Sequence, residues 1–202
     1  MNAFHSARGI EQEAWRKLRP FLSARTDDRY VLIDKGPQAK RLQEEIGDVI
    51  ANVGGNGRAV TIELKAEEKD TGNLFLETWS NRNLDNRLSH AERGSNMGWF
   101  FKTKADLLWY YFLQTDRLII CDLFTLKRIL LAPVERKGRG LEPWPLLGWE
   151  EKRQNKYEQL NDTWGVCAPI TALQKVLGAG QLKVTTGRQI SMFDEGYFDD
   201  SP

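Results

Sequence analysis

The chain has 202 residues, of which 41% are hydrophobic and 28% charged, and its formal net charge is +1. This length predicts one domain, residues 1–202, and the apolar fraction excludes an intrinsically disordered chain. Two cysteines exclude a disulfide framework and a cysteine-rich zinc site. No apolar run approaches the roughly 20 residues of a membrane span, so we expect an intracellular, cytoplasmic protein and no membrane partner.

The first part of the chain predicts two helices with a short strand between them. Apolar residues at helical spacing within residues 9–22 predict an amphipathic N-terminal helix that ends near Pro20, to which we assign no chemistry. Residues 30–33 predict a short strand. A second helix is predicted to begin at Pro37 and to end at Gly47.

A β-hairpin is the strongest local prediction of the sequence. Residues 48–53 predict its first strand, residues 54–57 its turn and residues 59–67 its returning strand. An Asn-Gly pair between apolar runs favours such a turn, because both residues tolerate positive φ. Alternation along the returning strand places four polar side chains on one face, namely Thr61, Glu63, Lys65 and Glu67.

Four further elements are predicted after the hairpin. They are a third strand at residues 74–79, a helix capped by Thr103 and running to residue 113, a buried strand at 117–121 and a late helix at 169–177.

These elements predict an α/β fold. Its core, residues 37–130, runs helix, strand, strand, strand, helix, strand, after an N-terminal helical segment at residues 1–25. An irregular extension, residues 131–202, follows the core, and its tail begins at about residue 186.

Asp48, Glu63 and Lys65 are the three residues that we expect to form a catalytic site. Phosphodiester hydrolysis needs carboxylates that hold one or two divalent ions, and a cation near the attacking water. The hairpin turn brings the start of the first strand beside the second strand, so these three residues are predicted to lie close together. Oxygen ligands of this kind suit magnesium.

These residues resemble a known superfamily. Asp48, then a hairpin, then Glu63-Leu64-Lys65 resembles the Asp…(Glu/Asp)-x-Lys signature of PD-(D/E)xK, or restriction-endonuclease-like, nucleases. The predicted element order is similar to their αβββαβ core, a mixed central sheet flanked by helices. Residues 48–51 and 62–65 resemble archaeal Holliday-junction resolvases. Residues 63–77 with 98–106 look like phage and bacterial nuclease-like proteins.

The resemblance implies a magnesium- or manganese-dependent nuclease, of the endonuclease or the exonuclease kind, that hydrolyses DNA phosphodiester bonds in repair, recombination or phage DNA metabolism. It implies that Asp48 and Glu63 bind the ion and that Lys65 positions or activates the water. Glu77 on the third strand is an additional acid and metal ligand in this reading, and Glu45 on the preceding helix is another candidate acid. The rival hypothesis is a non-catalytic module that keeps the fold and binds nucleic acid or protein.

Either Asp48 or Glu63 can be the first acid of the signature, and the sequence leaves this choice open. Gly47 stands where the signature has a proline before the first acid. In a shifted register Glu63 is the first acid and Glu77 the second, which leaves Trp79 in the place of the signature lysine. Only Asp48 depends on this choice.

Cations cluster between residues 82 and 104 and predict a phosphate-binding surface for DNA. They are Arg82, Arg87, Arg93, Lys102 and Lys104.

Residues 189–193, Gln-Ile-Ser-Met-Phe, resemble the pentapeptide that binds the bacterial sliding clamp. That resemblance implies that Gln189, Met192 and Phe193 contact the clamp from an extended tail. The alternative is a final strand or a disordered tail. A second copy of the chain, in a homodimer, is a further expected partner.

Overall fold

The structure, a computed structural model, describes most of the chain. The described residues are 7–33, 38–52, 59–80, 97–130, 134–136, 140–142, 151–153, 163–178 and 180–186. They belong to two compact units, the first within residues 1–71, 104–124 and 177–202 and the second within residues 72–103 and 125–176. In these ranges no helix is both long and apolar enough to cross a membrane. The single domain stays a prediction.

The described residues form both helices and strands. In order they are α1 (Ala7–Thr26), β1 (Tyr30–Leu32), α2 (Ala39–Ile46), β2 (Val49–Asn52), β3 (Ala59–Glu67), β4 (Asn73–Trp79), α3 (Trp99–Lys102), β5 (Leu107–Phe112), β6 (Arg117–Asp122), α4 (Leu123–Leu130), β7 (Val134–Arg136), β8 (Gly140–Glu142), β9 (Glu151–Arg153), β10 (Trp164–Pro169), α5 (Ile170–Leu177) and β11 (Leu182–Thr186).

A six-stranded mixed sheet organises the first unit. Its strand order is β1-β2-β3-β5-β6-β11, in which β3 and β5 are parallel and every other pair is antiparallel. The general prediction of an α/β fold with a mixed sheet and flanking helices is therefore confirmed.

Helix α1 packs its apolar stripe onto this sheet. Ala14, Leu18, Phe21 and Leu22 are buried and share one helix face by their spacing. The prediction that the helix ends near Pro20 is wrong, because α1 continues to Thr26 with the proline inside it. Proline removes one backbone hydrogen bond, and the burial of the apolar residues that follow it stabilises the helix past this point.

A polar contact joins α1 to the turn between β5 and β6. The Lys17 ammonium lies 2.5 Å from Oδ1 of Asp116, and the Tyr111 hydroxyl donates to the same oxygen at 2.6 Å. Asp116 has a φ of 50°, a left-handed conformation that suits aspartate or asparagine. The hydrogen bonds from Lys17 and then Tyr111 lower the pKa of the Asp116 carboxyl.

Asp116→Asn should lower the free energy of unfolding at pH 7 by about 1 kcal/mol. The effect is small because the carboxyl is about half exposed and water screens its interactions. Because its folded pKa is lowered, Asp116 stabilises the fold above its unfolded pKa of about 4, and this contribution is lost as pH falls below that value. Urea unfolding at pH 7 and pH 3 measures both effects, with Asp27→Asn, also at a left-handed residue, as the control. Equal losses in the two variants would contradict the assignment.

One predicted element of the central region is wrong. The stretch predicted as a helix from Thr103 to residue 113 contains β5, whose six residues are all buried. A strand buried on both faces beside a parallel neighbour needs a continuous apolar run, which sequence periodicity does not distinguish from a buried helix. The predicted strand at 117–121 is confirmed as β6.

The second unit contains the third predicted strand. Residues 73–79 form β4, but β4 pairs with β10 in a three-stranded sheet of order β4-β10-β9. This sheet is separate from the sheet of the hairpin, in which the strand beside β3 is β5. The late helix is confirmed as α5. The prediction that the chain after residue 130 is irregular is also wrong for the described residues, because β10 and β11 each belong to a sheet.

Candidate active site

Asp48 lies between the end of helix α2 and the start of strand β2. The helix ends at Ile46, and the Gly47 N–H still donates to the carbonyl of Gln43 at 3.0 Å. The Asp48 N–H then donates to the carbonyl of Ile62 on β3 at 2.8 Å. The backbone of Asp48 is therefore held directly against β3.

Gly47 explains the missing proline of the signature. Its φ is 92°, which proline cannot adopt because its ring fixes φ near −65°. A Cβ at this position would lie 2.7 Å from the carbonyl oxygen of Ile62, closer than packing allows. Glycine is thus required by the close approach of the chain to β3, and its presence does not argue against Asp48 as the first acid.

Strand register places Asp48 on the side of Glu63. Val49 on β2 pairs with Ile62 on β3, so alternation puts the preceding residue, Asp48, on the same face as Glu63 and Lys65. Oδ2 of Asp48 also accepts a hydrogen bond from the Leu64 N–H at 2.8 Å. This geometry agrees with the first of the two registers, in which Asp48 is the first acid.

Lys65 lies between two carboxylates. Its Nζ is 2.9 Å from Oε1 of Glu63 and 3.5 Å from Oε1 of Glu11. The Glu63 side chain is 6% exposed and that of Lys65 20%, so this ion pair lies beneath the surface, while Glu11 is 44% exposed. Glu11, Asp48, Glu63 and Lys65 form the acid–lysine cluster.

The electrostatics of the acid–lysine cluster are strongly coupled. Burial raises the pKa of the Asp48 carboxyl to about 6; the Lys65 charge and the Leu64 hydrogen bond oppose this shift, and the Glu63 charge adds to it. Burial alone would lower the pKa of Lys65, but the charges of Glu63, Glu11 and Asp48 outweigh it and raise that pKa above its usual value. Lys65 therefore stays protonated, while the pKa of the Asp48 carboxyl lies above its usual range.

The other two polar residues predicted on this face of β3 have structural partners. Thr61 donates through its backbone N–H and its hydroxyl to Oδ2 of Asp106, at 2.8 and 2.9 Å. Glu67 accepts a hydrogen bond of 2.5 Å from the Tyr110 hydroxyl, and burial raises the pKa of its carboxyl. Of the four, Glu63 and Lys65 are the two that join the acid–lysine cluster.

The remaining predicted site residues lie elsewhere or outside the described residues. Glu45 forms an exposed ion pair with Arg41 along α2 at 3.1 Å. Glu77 lies on β4 in the second unit, where it accepts a hydrogen bond from Ser80 at 2.6 Å, and its place in the active site stays a prediction. Among the predicted DNA-binding cations, Lys102 ends α3 and Lys104 is exposed. Those outside the described residues are Arg82, Arg87, Arg93, Gln189, Met192 and Phe193.

Glu11 is the residue of this cluster that sequence reasoning missed. It lies on α1, to which we assigned no chemistry. A signal exists in the sequence, because Glu11 precedes the buried Ala14 by three residues and Leu18 by seven, and so lies on the apolar stripe of the helix. An acid within an apolar stripe needs a partner in the packed fold, and here that partner is Lys65.

The acid–lysine cluster contains carboxylate oxygens, the kind of donor that a divalent ion such as magnesium prefers. Among the described residues no group of three or more His, Cys, Asp or Glu is arranged to hold a metal ion. Magnesium, however, often uses only one or two carboxylates and keeps several waters. Three carboxylates and one ammonium leave a formal charge of −2 when all are ionised, which one divalent cation neutralises. Asp48 and Glu63, the two most buried acids, would hold it.

No protein-family model, curated protein or solved structure matches the chain.

Proposed function

We propose that this chain is a magnesium- or manganese-dependent nuclease of the PD-(D/E)xK type that hydrolyses DNA phosphodiester bonds. The observation that carries the proposal is the meeting of Asp48, Glu63 and Lys65 on one face of adjoining strands, with Nζ of Lys65 2.9 Å from Glu63. Fixed acids beside a fixed cation in a partly buried position are typical of catalytic sites.

The connectivity of the first unit supports a restriction-endonuclease-like core. Strands β1, β2 and β3 pair antiparallel in succession, and β5 then pairs parallel to β3.

Each residue of the site has a role in this proposal. Asp48 and Glu63 hold the ion, which when bound would polarise the scissile phosphate and supply a nucleophilic water. Lys65 would offset the negative charge that grows on the phosphate oxygens, and its raised pKa keeps the side chain charged. Glu77 is proposed as an accessory acid and ligand.

The rival function is a binding module without catalysis. A module has no need to bury Asp48 and Glu63 around one lysine, because burial of ionised acids costs stability that surface charges do not. The nuclease therefore accounts for the acid–lysine cluster better than the module does.

Cleavage of a panel of linear, branched and single-stranded DNA and of RNA, with magnesium, manganese or EDTA, tests the proposed function. Metal-dependent cutting of at least one DNA substrate is the expected result. Binding without cutting, at every metal concentration, would favour the module instead.

Metal affinity should fall as pH drops through about 6, because protons then compete with the ion for Asp48. Calorimetric titration of Mn²⁺ into the DNA-free protein between pH 5 and pH 8 measures this dependence. Asp48→Asn, which cannot titrate, is the control and should show weak binding with little pH dependence. The same steep dependence in both proteins would assign the titration to another group.

The cations at residues 82–104 are proposed to bind DNA phosphates. Reversing the charges of Arg87 and Arg93 should weaken DNA binding and reduce the slope of log affinity against log salt by about 0.9 for each lost contact. Arg41→Glu, on the exposed side of α2, is the matched charge reversal and should leave the slope unchanged. An unaltered slope in the double variant would assign this stretch to another role.

The tail at residues 189–193 is proposed to bind the bacterial sliding clamp, which would raise the local concentration of the nuclease at DNA without adding DNA contacts. A homodimer also stays a prediction.

A further inference from the structure

Glu11 and Glu63 reach the Lys65 ammonium from different elements. Glu63 comes from the same strand as Lys65 and is nearly buried, whereas Glu11 comes from α1 and is about half exposed. The two contacts also differ in length, 2.9 Å to Glu63 and 3.5 Å to Glu11. Lys65 thus has a close partner that belongs to the proposed metal site and a looser partner outside it.

We propose that Glu11 is a positioning residue, which holds the Lys65 ammonium in its active position when Glu63 is engaged with a divalent ion. This inference rests on the proposed function, because it concerns the ion-loaded form of the same site.

A divalent ion at the proposed metal site would compete with Lys65 for Glu63. A divalent cation and the Lys65 ammonium carry like charge, so a carboxylate that serves both holds the ammonium less tightly than before. The lysine side chain is a flexible four-carbon chain, so its ammonium moves readily when the carboxylate that holds it also binds another cation. Glu11 is within reach of the same nitrogen and can take over the contact without a change in strand β3.

The helix gives this contact a rigid support. Glu11 lies one turn before Ala14, which is fully buried, so the backbone of α1 near Glu11 is fixed against the sheet. The neighbouring acid Glu13 is engaged differently, in an ion pair of 2.6 Å with Arg16 on the exposed side. Glu13 therefore offers a matched control with the same residue type, the same helix and a different partner.

The test compares Glu11→Gln with Glu13→Gln. For Glu11→Gln we expect kcat to fall by about 10–100-fold, the usual effect of a group that orients a site residue, with KM and the Kd for Mn²⁺ in DNA-free protein little changed. Glu13→Gln should match the wild type in all three. A large loss of Mn²⁺ affinity in Glu11→Gln would make Glu11 a metal ligand and overturn the positioning role, as would an unchanged kcat.

A second measurement separates positioning from simple structural support. The unfolding midpoints of Glu11→Gln, Lys65→Met and the double variant give the coupling between the two residues, and this coupling should increase when Mn²⁺ saturates the protein. Coupling that is equal or smaller with Mn²⁺ would overturn the inference. A wild type that neither binds Mn²⁺ nor cuts DNA would instead refute the proposed function, and the inference with it.

Discussion

Lys65→Ala should abolish DNA cleavage, lowering kcat by at least about 100-fold, while leaving DNA affinity nearly intact. The ammonium is held within an ion pair below the surface and faces the proposed ion-binding acids, so it acts on charge that develops in the transition state more than on bound substrate. Single-turnover cleavage and equilibrium binding, measured on the same DNA, separate the two effects.

Lys69→Ala is the matched control for Lys65→Ala. Lys69 is exposed in the turn after β3 and lies outside the acid–lysine cluster, so its removal should leave cleavage unchanged. Because loss of Lys65 leaves three acids without their shared cation, the unfolding midpoint of each variant must be measured alongside. Full activity in folded Lys65→Ala would remove Lys65 from the mechanism.

Asp48→Asn should weaken metal binding and abolish cleavage, yet it should raise the free energy of unfolding of the metal-free protein at pH 7. The folded pKa of Asp48 is about 6, above its unfolded value, so the carboxyl stabilises the fold only while it is protonated. That stability is present below about pH 4 and is lost as pH rises through about 6. At pH 7 the charge is a net cost, which we estimate at about 1–3 kcal/mol.

Asparagine is a fair test because its amide oxygen can still accept the hydrogen bond that the Leu64 N–H donates to Asp48. The gain in stability should disappear at pH 4, where the wild-type carboxyl is neutral too. Urea unfolding at the two pH values, without metal, measures it. A variant that is less stable than the wild type at pH 7 would show that Asp48 is held by favourable contacts and is not a destabilising metal ligand.

Local pattern was sufficient to predict the elements that carry the site. Strand β3 has the predicted bounds, because strict alternation and an Asn-Gly turn signal are properties of a few adjacent residues. The proximity of Asp48 to Glu63 and Lys65 follows from the same hairpin. The sequence alone could not explain why position 47 is glycine, because the reason is the short distance to the Ile62 carbonyl in the folded chain.

Strand partnership and long-range contacts were not predictable in the same way. β4 has the alternation of a half-buried strand, and nothing within it specifies that β10, about 90 residues later, is its neighbour. The run that forms β5 is apolar without a period, so its parallel pairing with β3 decides its conformation. Glu11 was missed for a related reason, because its role depends on a contact across 54 residues.

The position of a bound ion tests the account most directly. Crystals of the wild-type protein soaked with Mn²⁺ and measured at the manganese absorption edge should show one anomalous peak within about 2.0–2.6 Å of carboxylate oxygens of both Asp48 and Glu63. Asp48→Asn crystals treated in the same way should lose that peak. A peak in the wild type that contacts neither acid, or no peak at saturating Mn²⁺ in a protein whose Lys65 still pairs with Glu63, would contradict the proposed active site.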